Sequence, residues 1–257
     1  MPRSTDHRAT WVVDLDGVVW LAEQPIAGSA DAVARLRAAG VRVLFATNNA
    51  APTMAEFIER LGRAGILAEA DDVVTSAQAA ASMLEPGTTA FACAEGGVVE
   101  ALEARGVRVV SGEGADAVVV GGTRRFDFDL LATTASLVRG GARFIGTNED
   151  PTHPTPQRLL PGSGAILAAV ATAAQATPEV AGKPHEAMVA LLRRRAAGVV
   201  LMVGDRPSTD GVLARQLGVP FALVRSGVAG DGREPMVVTP DEEAEDLAAL
   251  VDRHLSA

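Results

Sequence analysis

Short apolar runs alternate with Ala-, Leu- and Arg-rich stretches along almost the whole chain. A strand covered on both faces must be apolar throughout, and a helix between two such strands returns the chain to run parallel beside the first. The alternation therefore points to an α/β fold built on a parallel sheet. Residues 10–15, 41–46 and 73–74 read as strands, with helices over 29–39, 53–64 and 76–84. Ser29 is a possible N-cap with Gly40 beyond the helix end, and Thr53 with Glu56 has capping-box spacing. After Glu85-Pro86-Gly87 the pattern restarts. Strands are expected at 89–93, 107–110, 117–120 and 143–146, and helices at 97–104 and 130–139. A polar loop with four prolines follows over 147–162, then a helix over 165–174. Beyond Lys183 come a helix over 186–193, a strand at 199–203, a helix over 209–217, a strand at 221–224 and an acidic helix over 241–255.

Composition narrows the partners. The chain has 257 residues, 48% of them hydrophobic, and a formal net charge of −9. That charge argues against nucleic acid or an anionic membrane as the main partner, while a local cluster of cations and amides could still hold a small anion. Cys93 is the only cysteine, so no intrachain disulfide can form and a reduced, cytoplasmic location is expected. The polar N-terminus has no apolar core, so no signal peptide is expected, and no apolar run reaches membrane-spanning length. Lys183 is the only lysine, against 22 arginines. It is either a chance survivor or a compact cation kept where a guanidinium fork would not fit.

Four segments fall where strands end, the edge at which open parallel sheets bind ligands. Asp14-Leu15-Asp16-Gly17 places two acids two residues apart, which suits either an acidic turn or a pair of carboxylates around Mg²⁺. Thr47-Asn48-Asn49 is a plain turn or a group of small phosphate-binding polar residues. Gly182-Lys183-Pro184-His185 opens a helix, with Pro184 suited to its first turn. Gly204-Asp205-Arg206-Pro207-Ser208-Thr209-Asp210 is a helix start capped by Ser208 or Thr209, or a source of two more acids.

Each segment has an ordinary explanation, but the four together, in this order, do not share one. With Thr75-Ser76-Ala77-Gln78 and Gly146-Thr147-Asn148-Glu149-Asp150 between them, the sequence resembles the haloacid dehalogenase superfamily of phosphatases. Within it, the likeness is to the NagD and p-nitrophenyl phosphatase-like branch, over residues 11–228. The resemblance implies a doubly wound, Rossmann-like core (1–84 and 180–257) with a smaller α/β cap of the C2 type inserted at 85–179. It also implies a Mg²⁺-dependent phosphomonoesterase acting on small phosphorylated metabolites. Asp14 would be the nucleophile and Asp16 the general acid and base. Thr47, Asn48 and Lys183 would bind phosphate. Asp14, the Asp16 carbonyl and Asp205 would hold the metal, with Asp210 behind them. Asn148 and His153 are candidate substrate contacts from the cap. Ser208 stands where the family often carries a further Asp. Caps of this type often pair, which raises a homodimer through the cap, although the sequence shows no interface signature. A phosphotransferase or mutase on the same scaffold and a phosphate-binding module without turnover are the alternatives. Cap placement argues against the former and retention of Asp16 against the latter.

Overall fold

A computed structural model describes residues 9–22, 24–154, 158–196, 198–228 and 235–256. The polar N-terminal residues 1–8, read above for a signal peptide, and residues 155–157 of the proline-rich loop lie outside this set. The chain divides into two compact units. One comprises Met1–Thr47, Ile58–Val74 and Val189–Ala257, and the other Asn48–Phe57 and Thr75–Met188.

Among the described residues, the sheet of the first unit has six strands. They run in the order Glu242–Ala244, Phe221–Val224, Val199–Gly204, Thr10–Val13, Arg42–Thr47 and Val73–Thr75. The pairings from Glu242–Ala244 through Arg42–Thr47 are all parallel. Counted along the chain, the order is 3-2-1-4-5-6, the doubly wound arrangement. It reverses between Thr10–Val13 and Val199–Gly204. Every residue of Thr10–Val13 is buried, which explains why Trp11-Val12-Val13 carries no polar alternation.

The second unit carries a parallel sheet of its own. Its order is Glu179–Val180, Arg143–Gly146, Ala117–Val120, Thr89–Cys93 and Arg108–Val109. Phe91, Cys93, Val118, Val120 and Phe144 point into a core closed by Leu167 and Val170 of the helix Ser163–Ala174. Cys93 is therefore a packing residue, and burial pushes its thiol pKa up.

Four local expectations are corrected. Ser29 does not cap its helix: Gly28 holds that position at φ 81, and the Ser29 hydroxyl donates to the Val19 carbonyl. The long loop contains an antiparallel hairpin, Thr152–Pro154 with Leu159–Pro161. The acidic C-terminal segment begins as an edge strand, Glu242–Ala244, and the helix starts only at Leu247. Pro184 precedes its helix, Glu186–Arg195, by two residues. The Thr53–Glu56 capping box forms as expected, with Thr53 N–H donating to Glu56 and Glu56 N–H to the Thr53 hydroxyl.

Candidate active site

The strand order creates the site in the first unit. Asp14 and Asp205 follow the two neighbouring strands between which the sheet order reverses, so their side chains emerge at the same edge. Asp210 joins them from a π-helical turn, Pro207–Gly211, that leads into the helix Val212–Leu217. One oxygen from each of the three carboxylates lies within 4.8 Å of the others, and all three residues are buried. Carboxylates this close repel one another and favour a cation among them. An all-oxygen donor set of this kind suits a hard divalent ion such as Mg²⁺ or Ca²⁺.

The backbone is shaped around these acids. Gly17 adopts φ 88, and a Cβ there would stand 2.3 Å from Asp205 Oδ2. A Cβ on Gly227 would stand 1.9 Å from the same oxygen, and one on Gly204 2.2 Å from Asp210 Oδ2. Asp205 Oδ2 accepts the Val228 N–H at 2.7 Å, Asp210 Oδ2 the Arg206 N–H at 3.1 Å and Asp14 Oδ1 the Leu15 N–H at 2.8 Å. The Ser226 hydroxyl donates to the Gly17 carbonyl at 2.7 Å and so fastens the loop after Phe221–Val224 to the first acidic turn.

Asp16 stands apart from these acids. Its carboxylate is not part of the three-acid cluster; Oδ1 accepts the Trp20 indole N–H at 3.0 Å. Trp20 is itself buried, so the hydrogen bond comes from a ring held in place by packing. The three acids of the cluster come from positions 14, 205 and 210, with Ser208 in the turn between the last two.

The remaining residues singled out by the sequence divide between the units. Thr47 is buried at the end of the strand Arg42–Thr47 in the first. In the second, Asn48 and Lys183 are hydrogen-bonded through the Lys183 main chain, and the Asn148 amide donates to the Asn48 carbonyl. Asn148 Oδ1 accepts the Asp150 N–H, so this side chain braces its own loop. His185 meets Glu149 at 2.9 Å. His153 lies half-buried on the hairpin strand, opposite Leu160.

Sequence reasoning missed two contributors. Trp20 reads as a core aromatic, and its indole donor shows only once the turn is folded. Ser226-Gly227 reads as an ordinary turn. Its signal was position, since it follows the strand Phe221–Val224 and so shares the sheet edge with the acids.

Comparison with known proteins agrees with this geometry. Residues 11–108 match the haloacid dehalogenase-like hydrolase model, and residues 180–250 a second model of HAD-like hydrolases. An acid sugar phosphatase of Staphylococcus saprophyticus is 34% identical over 228 residues, covering 85% of this chain and 86% of its own length. The chain belongs to the haloacid dehalogenase-like hydrolases. A D-glycerol 3-phosphate phosphatase of Mycobacterium tuberculosis is 38% identical over 224 residues, 84% of this chain. This chain spans only 63% of the length of that relative. The crystal structure of a glycerol phosphate phosphatase from the same organism in complex with magnesium superposes with a TM-score of 0.84 at 37% identity, over 95% of this chain and 76% of that one. The p-nitrophenyl phosphatase of Archaeoglobus fulgidus superposes at 0.88 and 26% identity, over 96% and 99%. These neighbours carry the expected kinship with the p-nitrophenyl phosphatase-like branch of this hydrolase family. Among the described residues, no helix is long and apolar enough to cross a membrane.

Proposed function

We propose that this hydrolase is a Mg²⁺-dependent phosphomonoesterase of small phosphorylated polyols and sugars. The observation that carries the reading is the buried Asp14, Asp205 and Asp210 cluster at the sheet's switch point. The named activities of the relatives point to the same substrate class. Asp14, Asp205 and Asp210, with the Asp16 carbonyl, would hold the metal, whose charge offsets that of the nucleophile and the phosphate.

An Asp14 oxygen attacks phosphorus, and the bond from phosphorus to the ester oxygen breaks. Asp16, oriented by Trp20, gives its proton to that departing oxygen. Asp16 then takes a proton from water as the water attacks phosphorus, which frees Asp14 and releases inorganic phosphate. Thr47 holds phosphoryl oxygens, and Lys183 supplies a compact positive charge toward them. Residues 85–179 act as the inserted cap, with His153 and Asn148 as its substrate-side candidates. The gap at 109–179 between the two matched family models supports an insertion there.

The test is phosphate release from glycerol 3-phosphate, dihydroxyacetone phosphate and hexose phosphates, with magnesium and with excess chelator. Metal-dependent release from at least one of these supports the reading. Release that is indifferent to chelator, or none from any monoester, sinks it.

A further inference from the structure

The Asn48 carboxamide grips the Lys183 main chain from both sides. The Lys183 N–H donates to Asn48 Oδ1 at 2.7 Å, and Asn48 Nδ2 donates to the Lys183 carbonyl at 3.1 Å, across 135 residues of sequence. One amide oxygen facing an N–H and one amide nitrogen facing a C=O allow only one orientation of the side chain.

Asn48 is itself pinned. Its carbonyl accepts the Ser76 hydroxyl and the Asn148 amide, each at 2.6 Å. All four residues are buried, so each of these hydrogen bonds costs a desolvated polar group if it is broken. The close approach also needs Gly182, where a Cβ would stand 2.5 Å from Asn48 Oδ1 and 2.5 Å from the Thr147 carbonyl oxygen. An ammonium on a four-carbon stem is mobile, and it acts as a fixed charge only when its root is fixed.

We infer that Asn48 is a positioning residue: its side chain sets the Lys183 main chain and thereby the place from which the ammonium acts. The inference rests on the phosphatase reading, in which that ammonium meets the phosphate. It moves the role of the Asn48 carboxamide from phosphate ligand to holder of the phosphate ligand.

A double-mutant cycle on p-nitrophenyl phosphate hydrolysis tests it, using Asn48→Ala, Lys183→Ala and the double variant, with the melting temperature of each. Asn48→Ala is expected to lower kcat/KM by roughly 10–100-fold when Lys183 is present, the worth of one or two hydrogen bonds in a buried site. When Lys183 is already Ala, the added loss should be no more than about 3-fold. Equal losses in both backgrounds would overturn the inference, because a direct phosphate contact or a general weakening of the fold does not depend on the ammonium. Should Asn48→Ala not fold, Ser76→Ala removes one pin from Asn48 and is read the same way. Its expected loss is roughly 3–10-fold with Lys183 and none without it. The phosphatase reading fails differently: the wild type releases no phosphate, or Lys183→Ala alone costs nothing, and either result removes this inference as well.

Discussion

Gly204 ends the strand Val199–Gly204, and a methyl group on it would stand 2.2 Å from Asp210 Oδ2, 2.3 Å from its Cγ and 2.4 Å from its Cβ. Non-bonded heavy atoms settle at roughly 3.5–4.0 Å. Gly204→Ala therefore forces the Asp210 side chain to move by about 1 Å or more. Asp210 is fully buried and its oxygen is tied to the Arg206 N–H, so it has no solvent-side space to move into. Overpacking of this kind costs about 1–3 kcal/mol, which lowers the melting temperature of a chain this size by roughly 2–12 °C. A reacting group misplaced by about 1 Å costs on the order of 100-fold in rate. Calorimetric titration with Mg²⁺ should show weaker binding in the same variant. Gly112→Ala is the control, because nothing lies within 4 Å of its added carbon and its φ is not in the left-handed region. It should stay within about 0.5 kcal/mol of wild type. A Gly204→Ala protein that binds Mg²⁺ and turns over like wild type would refute the steric argument and, with it, the placing of Asp210 in the metal site.

Three further outcomes follow from the same geometry. Trp20→Phe removes the indole donor to Asp16 while keeping an aromatic ring, and kcat should fall roughly 2–10-fold, the worth of one hydrogen bond; an unchanged kcat would leave Asp16 positioned without Trp20. Lys183→Arg should lose most activity while the circular dichroism spectrum shows the fold retained, because a rigid fork replaces a buried compact cation; wild-type turnover would make the lone lysine an accident of composition. Asp241 accepts the Phe221 N–H and pairs with Arg215, and these hold its carboxyl pKa below the ordinary value. Its contribution is therefore complete above about pH 4 and is lost as pH falls through the lowered folded value. The melting-temperature gap between wild type and Asp241→Asn should be constant at neutral pH and close on acidification; a gap that widens in acid contradicts this.

The legible parts of this chain are those fixed by local pattern. The strand Ala117–Val120 matches its expected bounds, and Thr10–Val13 and Val199–Gly204 fall within one or two residues of theirs, because strands buried wholly or over most of their length leave an uninterrupted apolar run. The acids at the ends of the last two were visible for the same reason: an Asp directly after such a run has few places to go. The parts that stayed hidden depend on distant partners. Glu242–Ala244 is too acidic to read as a strand and becomes one only as a sheet edge beside Phe221–Val224. The hairpin inside the proline-rich loop has Pro154 and Pro161 in its strands, which propensity counts against any strand. Ser29 has the right residue type for a cap, but Gly28 takes the turn and Val19 takes the hydroxyl. The hold of Ser226 on Gly17 spans 209 residues, and that of Asn48 on Lys183 spans 135. Such pairs have no spacing signature, so motif reading picks out candidate side chains and passes over what holds them in place.

The most direct measurement is phosphate release from p-nitrophenyl phosphate by wild type and Asp14→Asn, side by side, with magnesium and with excess chelator. The account predicts release by the wild type in magnesium, loss of that release on chelation, and no release above background from Asp14→Asn despite an unchanged fold. Hydrolysis by Asp14→Asn at the wild-type rate would contradict it.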